Sequence, residues 1–452
     1  LLRLQTTEVN AYLSPVIDSY ISKIREQVSG NRFWVMTSAG GLANSGHFLP
    51  KDSLLSGPAG GVVGAAAMGE AAGYKKIISF DMGGTSTDVA RYGGELEYNF
   101  ELKVGAARIQ SPALYIETVA AGGGSVCGFD GYKLYVGPES AGASPGPACY
   151  GAGGPLSITD VNLLSGRLDP GQFNIPVYPE ASQKRLKEIQ EEVYQRSGVL
   201  PEEKDLLTGF LRIADETMAG AIRKISTARG YNPSDYAVLA FGGAGGMHSC
   251  SIASLLGIST ILVPVDAGLL SAYGIGEARI ERFAEKQVLK TTNQIETLDT
   301  LFPELEQEAL GKLLSEGVEE GNTCIRSRLV FLRFLGQEAT IEVNWISREQ
   351  LLSDFRDAYL GIYGHWSENR AIEVESIRVV ASTRKQRSQG PATGAAKRNT
   401  RPSHRNAQDI PVFLREKLKA GDQVSGPSLV LDPFSTTYVE KGWSCLVNEL
   451  SL

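Results

Sequence analysis

Between Lys76 and Tyr92 an apolar run, Ile77-Ile78-Ser79-Phe80, ends in Asp81, crosses Met82-Gly83-Gly84-Thr85-Ser86-Thr87-Asp88 and resumes as Val89-Ala90-Arg91-Tyr92. β-compatible residues on both sides of a glycine pair predict a strand, a tight turn and a returning strand. A strand-to-helix phosphate loop is excluded, because GxxxxGK[ST] is missing and no lysine lies in the turn. Gly83 and Gly84 would let backbone N–H groups approach anionic oxygens, and Thr85 and Thr87 would add hydroxyl donors. Asp81 and Asp88 can hold Mg²⁺ directly or through water, a cation that phosphate beside carboxylate requires. The same residues also suit a decorated turn whose Asp and Thr side chains cap its own backbone.

Glycine, 51 of 452 residues, clusters at 57–64, 83–84, 122–124, 151–154 and 242–246, between apolar runs rather than in a Ser/Gly linker. Ser56–Met68 and Ala267–Glu277 read as helices built of small residues, suited to close backbone approach or to ordinary buried packing. Thr6 or Thr7 is expected to cap a first helix reaching about Gln27, with Gly30 as its stop, and Phe33–Met36 to form a strand. Apolar spacing predicts a long helix over Glu203–Arg229. Tyr236–Phe241 reads as a strand entering Gly242-Gly243-Ala244-Gly245-Gly246, followed by a helix to Leu256 and a strand over Thr260–Val265. Past Arg282 the pattern changes to amphipathic helices and alternating strands, such as Arg326–Phe334 and Thr340–Trp345, and a β-rich tail runs from Ile410 to Leu452.

A formal charge of −7 excludes general nucleic-acid binding through net positive charge. Arg384–Arg405 holds seven Lys/Arg and no acid, but it lacks interleaved aromatics and reads as a solvated loop. The longest apolar stretch, Leu255–Gly276, is broken by Pro264 and Asp266, so no membrane span is expected. Cys127, Cys149, Cys250, Cys324 and Cys445 form no CxxC pair, which argues against a disulfide framework and fits a reducing cytoplasm.

The order of parts is informative. A small-residue helix, a strand, a DxGGT hairpin and, far downstream, a strand feeding a glycine-rich helix start and a second small-residue helix match the order in actin-like ATPases. With Asn10–Pro15, Ser56–Gly61, Phe80–Val89, Glu117–Ser125, Gly137–Tyr150, Thr159–Asn162, Phe241–Gly245, Gly336–Glu338 and Ser425–Ser428, the chain resembles the hydantoinase A/oxoprolinase family. That family includes N-methylhydantoinases, 5-oxoprolinase and subunits of acetone and acetophenone carboxylases.

The resemblance implies an α/β fold with an actin-like (RNase H-like) ATPase core and a mixed α+β C-terminal domain. Its expected division is 1–75 for the remainder of a first lobe and a hinge helix, 76–282 for a second lobe, and 283–452 for the C-terminal domain. It implies ATP and Mg²⁺ as cofactors, with Asp81 and Asp88 as catalytic carboxylates and Asp81 as the metal organiser. Gly83, Gly84, Thr85 and Thr87 would take the phosphates, and Gly242, Gly243 and Gly245 the nucleotide. The implied reaction phosphorylates the oxygen of a cyclic amide or a ketone, with a hydantoinase B-like partner subunit or domain in an oligomer. The family normally has an earlier hairpin of the same kind, so a core truncated at its start, holding half an ATP site, is expected. It also usually follows the GGAG turn with Pro, where this chain has Gly246-Met247-His248.

A nucleotide-binding regulatory or assembly subunit without turnover is the alternative. A metal-dependent amidohydrolase is a third reading, against which four scattered histidines speak. His248 and Cys250 make no zinc site by themselves, and no nearby base completes a dyad, so a packed histidine and a buried thiol are expected. Ala121–Ser125 reads either as an anion-binding loop or as a strand-end turn, and Asp160 either as a helix cap or as a substrate contact.

Overall fold

The computed structural model describes residues 2–28, 33–173, 175–292, 298–384 and 397–449. The chain opens with helix α1 (Leu2–Gln27), then the short strands β1 (Trp34–Met36) and β2 (Leu42–Asn44) and helix α2 (Ser56–Ala71). The expected cap at Thr6 or Thr7 is corrected. Both residues lie inside α1, and the Thr7 hydroxyl bonds the Arg3 carbonyl one turn back. Gly30 lies outside the described residues.

Strands β3 (Ile77–Met82) and β4 (Thr87–Tyr92) form the expected hairpin. The hairpins β5 (Tyr98–Val104)–β6 (Ala107–Leu114) and, after β7 (Ile116–Val119), β8 (Ser125–Phe129)–β9 (Leu134–Ser140) follow. Helices α3 (Ile158–Leu164), α4 (Pro179–Ser197) and α5 (Glu203–Ile225) lead to β10 (Ala237–Phe241), α6 (Gly245–Leu256), β11 (Ile261–Leu262) and α7 (Leu270–Glu277). Helix α5 ends at Ile225 rather than Arg229, because Ser226 leaves the helical region and turns its hydroxyl back to the Ile222 carbonyl.

One five-stranded sheet organises this part, in the order β11-β10-β3-β4-β7, with β3, β10 and β11 parallel and β4 antiparallel to both neighbours. Period-two alternation sends Ile78, Phe80, Met82 and Val89 to one face, against α3, α5 and α6. It sends Ile77, Tyr92, Leu239 and Phe241 to the other face, against α2 and α7. The two small-residue helices cross in backbone contact: a methyl on Gly274 would lie 1.8 Å from the Gly60 carbonyl oxygen, and one on Gly64 2.7 Å from that of Leu270.

Beyond residue 280, β12 (Glu281–Thr291), helix α8 (Leu298–Ser315), β13 (Thr323–Phe334), β14 (Ile341–Asn344), helix α9 (Arg348–Tyr363) and β15 (Ile372–Thr383) form an antiparallel sheet ordered β12-β15-β13-β14. Phe302, Leu305, Leu313, Leu351 and Phe355 from the two helices pack on Val330, Phe334, Ile377 and Val379. Most of the basic stretch Arg384–Arg405 lies outside the described residues. The tail is β-rich: β16 (Arg398–Asn399), β17 (His404–Arg405), β18 (Pro411–Leu414), β19 (Asp422–Ser425), β20 (Ser428–Asp432), β21 (Ser435–Val439) and β22 (Ser444–Leu446) form two small sheets. No helix among the described residues is long and apolar enough to cross a membrane.

Candidate active site

The β3–β4 register places Asp81 directly opposite Asp88 at the mouth of the glycine turn. Both side chains fall on the α2/α7 face of the sheet by alternation, and no cation of the chain is paired with either among the described residues. Burial, then the charge of Asp88, pushes the Asp81 carboxyl up to about 6. Burial also raises Asp88, against a lowering hydrogen bond donated by the Thr118 hydroxyl on the neighbouring β7. At the tip, Gly84 and Thr85 are exposed, and among the described residues their amide groups have no hydrogen-bond partner. The Gly83 amide closes the turn on the Ser86 carbonyl at 3.1 Å.

Thr87 requires a correction. One residue from Asp88 along a strand means the opposite face, so Thr87 points toward α5, fully buried, with its hydroxyl donated to the Ala121 carbonyl at 2.5 Å and set against the Met218 sulfur. It anchors the turn from below, and direct phosphate contact is not open to it. The loop it holds, 121–125, has spent its own donors: the Gly123 amide bonds the Gly83 carbonyl at 3.1 Å and the Gly124 amide that of Gly84 at 2.6 Å. A methyl on Gly122 would lie 2.7 Å from the Thr85 and Ser86 backbone, so only glycine allows this approach. The loop is therefore a strand-end turn that buttresses the hairpin.

The second glycine turn closes on the first. Gly242 has a φ of 78°, and a methyl there would lie 2.4 Å from Asp81 Oδ1, while the Ala244 amide bonds the Met82 carbonyl at 3.1 Å. Gly243 is exposed beside them. Gly245 is buried against the Phe80 carbonyl, so it packs the start of α6 instead of facing a ligand as expected.

Asp160 is a cap. It sits in the first turn of α3, fully buried, and accepts from the Ser157, Ala148 and Cys149 amides and the Ser157 and Ser182 hydroxyls. Cys250 is a buried thiol pushed up to about 11 by that burial. His248 is fully buried, but α5 supplies the carboxylate that sequence neighbours lacked: Asp215 Oδ1 lies 2.6 Å from Nδ1, and the Asn162 amide nitrogen 3.1 Å from Nε2. Thr118 and Asp215 carry no local signal of their roles, since both act across the fold.

Among the described residues no three His, Cys, Asp or Glu converge on one point. A cation between Asp81 and Asp88 would therefore take its remaining ligands from phosphate and water, which suits Mg²⁺. The facing carboxylates, with no counter-charge among the described residues, fit such an ion. A separate cavity of about 930 Å³, lined by Arg91, Phe100, Arg229, Phe331 and Arg378 among others, contains none of the expected residues.

A mixed sheet with helices on both faces carries two glycine turns that meet at one strand end, the architecture of an α/β protein. The chain belongs to the hydantoinase/oxoprolinase family, whose model matches residues 3–283. It is 35% identical to a 5-oxoprolinase of Dictyostelium discoideum over 98% of its own length, and spans 38% of that relative. Among solved structures it is similar to an ATP-dependent caprolactamase from Pseudomonas jessenii, with a TM-score of 0.87, 26% identity and coverage of 100% of this chain and 69% of that one. It shares its fold with nucleotide-free acetone carboxylase at a TM-score of 0.68 and 22% identity, covering 95% and 65% of the two chains.

Proposed function

We propose that the protein is an ATP-dependent hydrolase acting on a cyclic amide, and that the β3–β4 hairpin is its phosphate grip. The observation that carries this reading is the pair Asp81 and Asp88, facing each other with no counter-charge among the described residues, beneath the exposed Gly84 and Thr85 amides and closed over by Gly242. The named relatives, a 5-oxoprolinase and an ATP-dependent caprolactamase, support it. The carboxylase reading rests on a shared fold alone, and a subunit without turnover draws no support from relatives named for enzymes.

In the proposed reaction the amide oxygen attacks the terminal phosphorus of ATP and the bond to ADP breaks; water then adds to the phosphorylated imidate carbon, the C–N bond breaks to release the amine and leave an acyl phosphate, and a second water frees the carboxylate and phosphate. The Gly84 and Thr85 amides and the Thr85 hydroxyl would bind phosphate oxygens, Gly243 would border the nucleotide, and Thr118 would fix the orientation of Asp88. Mg²⁺ held by Asp81 and Asp88 would supply charge neutralisation between phosphate and carboxylates. We further propose that the five-stranded sheet is one lobe of an actin-like core, within the division 1–75, 76–282 and 283–452. A hydantoinase B-like partner subunit or domain, in a cytoplasmic oligomer, would complete the hydrolysis, since a phosphorylated intermediate must be kept from bulk water.

Asp81→Asn tests the reading. Phosphoryl transfer depends on positioning and charge, so ATP-coupled amide hydrolysis is expected to fall by about 10²–10³-fold or more. The melting temperature should hold or rise, because one of two repelling carboxylates is gone. Undiminished turnover in a folded variant would overturn the assignment.

A further inference from the structure

The tail of the chain returns to the second glycine turn. Strand β21 lies along α6: a methyl on Gly246 would sit 2.6 Å from Thr437 Oγ1 and 2.8 Å from the Thr436 carbonyl oxygen. Glu440 fastens the contact, accepting from the Ser251 hydroxyl and pairing with Arg167 at 3.1 Å, while the Arg167 guanidinium covers the Tyr438 ring at 4.7 Å. The β20–β21 hairpin is closed by the Asp432–Ser435 pair, which leaves Pro433 and Phe434 at its tip.

That tip stands over the nucleotide edge of the candidate site. The Phe434 carbonyl oxygen is 3.8 Å from where a methyl on Gly243 would lie, and Phe434 Cβ and its carbonyl oxygen are each 2.8 Å from the corresponding position on Gly268. A side chain on Gly268 would displace the tip, so the approach depends on glycine there. Phe434 remains 54% exposed although its backbone is held from both sides. A lone exposed aromatic is ordinary on a protein surface. This one is held in place beside the exposed Gly243, at a turn that the proposed reading assigns to nucleotide.

Resting on that reading, we infer that Phe434 is the residue on which the base of the bound nucleotide stacks, the β20–β21 tip bordering the base subsite beside the exposed Gly243. An aromatic face binds any nucleobase and contributes nothing to a bare polyphosphate. Phe434 is a binding residue with no group that can take part in phosphoryl transfer, and its loss should appear in KM for ATP and not in kcat.

The test compares Mg·ATP with Mg·tripolyphosphate, which keeps the phosphates and lacks the base, by calorimetry on the intact protein. Phe434→Leu should weaken ATP by about tenfold, within the range stacking supplies, and leave tripolyphosphate unchanged. Phe434→Trp should keep ATP affinity, and its added fluorescence should be quenched by ATP but not by tripolyphosphate. Unchanged ATP affinity in Phe434→Leu, or equal weakening of both ligands, would overturn the inference, since the tip would then be absent from the subsite or merely prop the turn. Wild-type protein that binds tripolyphosphate but not ATP would overturn it as well. Failure to bind either ligand would overturn the nucleotide reading together with this inference.

Discussion

His248 and Asp215 are both deeply buried, and each is the other's compensation for leaving water. Removing the carboxylate leaves an imidazole with a bare Nδ1 in the interior, where no solvent replaces the lost partner. Asp215→Ala is therefore expected to destabilise the protein by about 3 kcal/mol, read as a lower urea midpoint at unchanged slope. A loss below about 0.5 kcal/mol would show that the pair is structurally idle. The pair joins α5 to α6 just beneath the second glycine turn, so its loss should also blur the turn that closes on Asp81.

At the scale of elements, the crossing of α2 and α7 is the contact least able to yield. Backbone meets backbone there, with no side chain to rotate aside. Gly274→Ala would drive a methyl into the Gly60 carbonyl, and the expected outcome is loss of several kcal/mol or failure to fold, checked by soluble yield and circular dichroism. Wild-type stability in this variant would mean that the helices can separate freely. Both helices were legible in their residue types, because a face of Gly and Ala has few other uses, and the β3–β4 hairpin was legible because an apolar run stops at an acid beside paired glycines. Thr87 has the hydroxyl of a phosphate donor, but the period of two separates it from Asp88 and turns it toward α5. Strand β5 does alternate, with Tyr98, Phe100, Leu102 and Val104 separated by Asn99, Glu101 and Lys103, whereas β9 lies mostly at exposed or half-buried positions and carries no such period. Asp215 with His248, Thr118 with Asp88, and Phe434 with Gly243 could not be read at all, because each pairing is created by topology.

For the molecule as a whole, the tail cannot be treated as an appendage free of the core. Its strand β21 is fastened to α6 by Glu440, so Glu440→Ala should cost about 1–2 kcal/mol through the unpaired, partly buried Arg167 and the orphaned Ser251 hydroxyl. The same variant should make segment 397–449 more sensitive to limited proteolysis and raise KM for ATP. Unaltered cleavage and KM would show that the tail is held by other contacts. The attachment also sets a clock. Asp81 and Phe434 are separated by about 350 residues, and at about 5–20 residues per second a ribosome needs roughly 20–70 s to pass from one to the other. On the proposed reading, the nascent chain would carry during that interval the β3–β4 hairpin with no wall for the base, and ATP would meet a grip too incomplete to retain it.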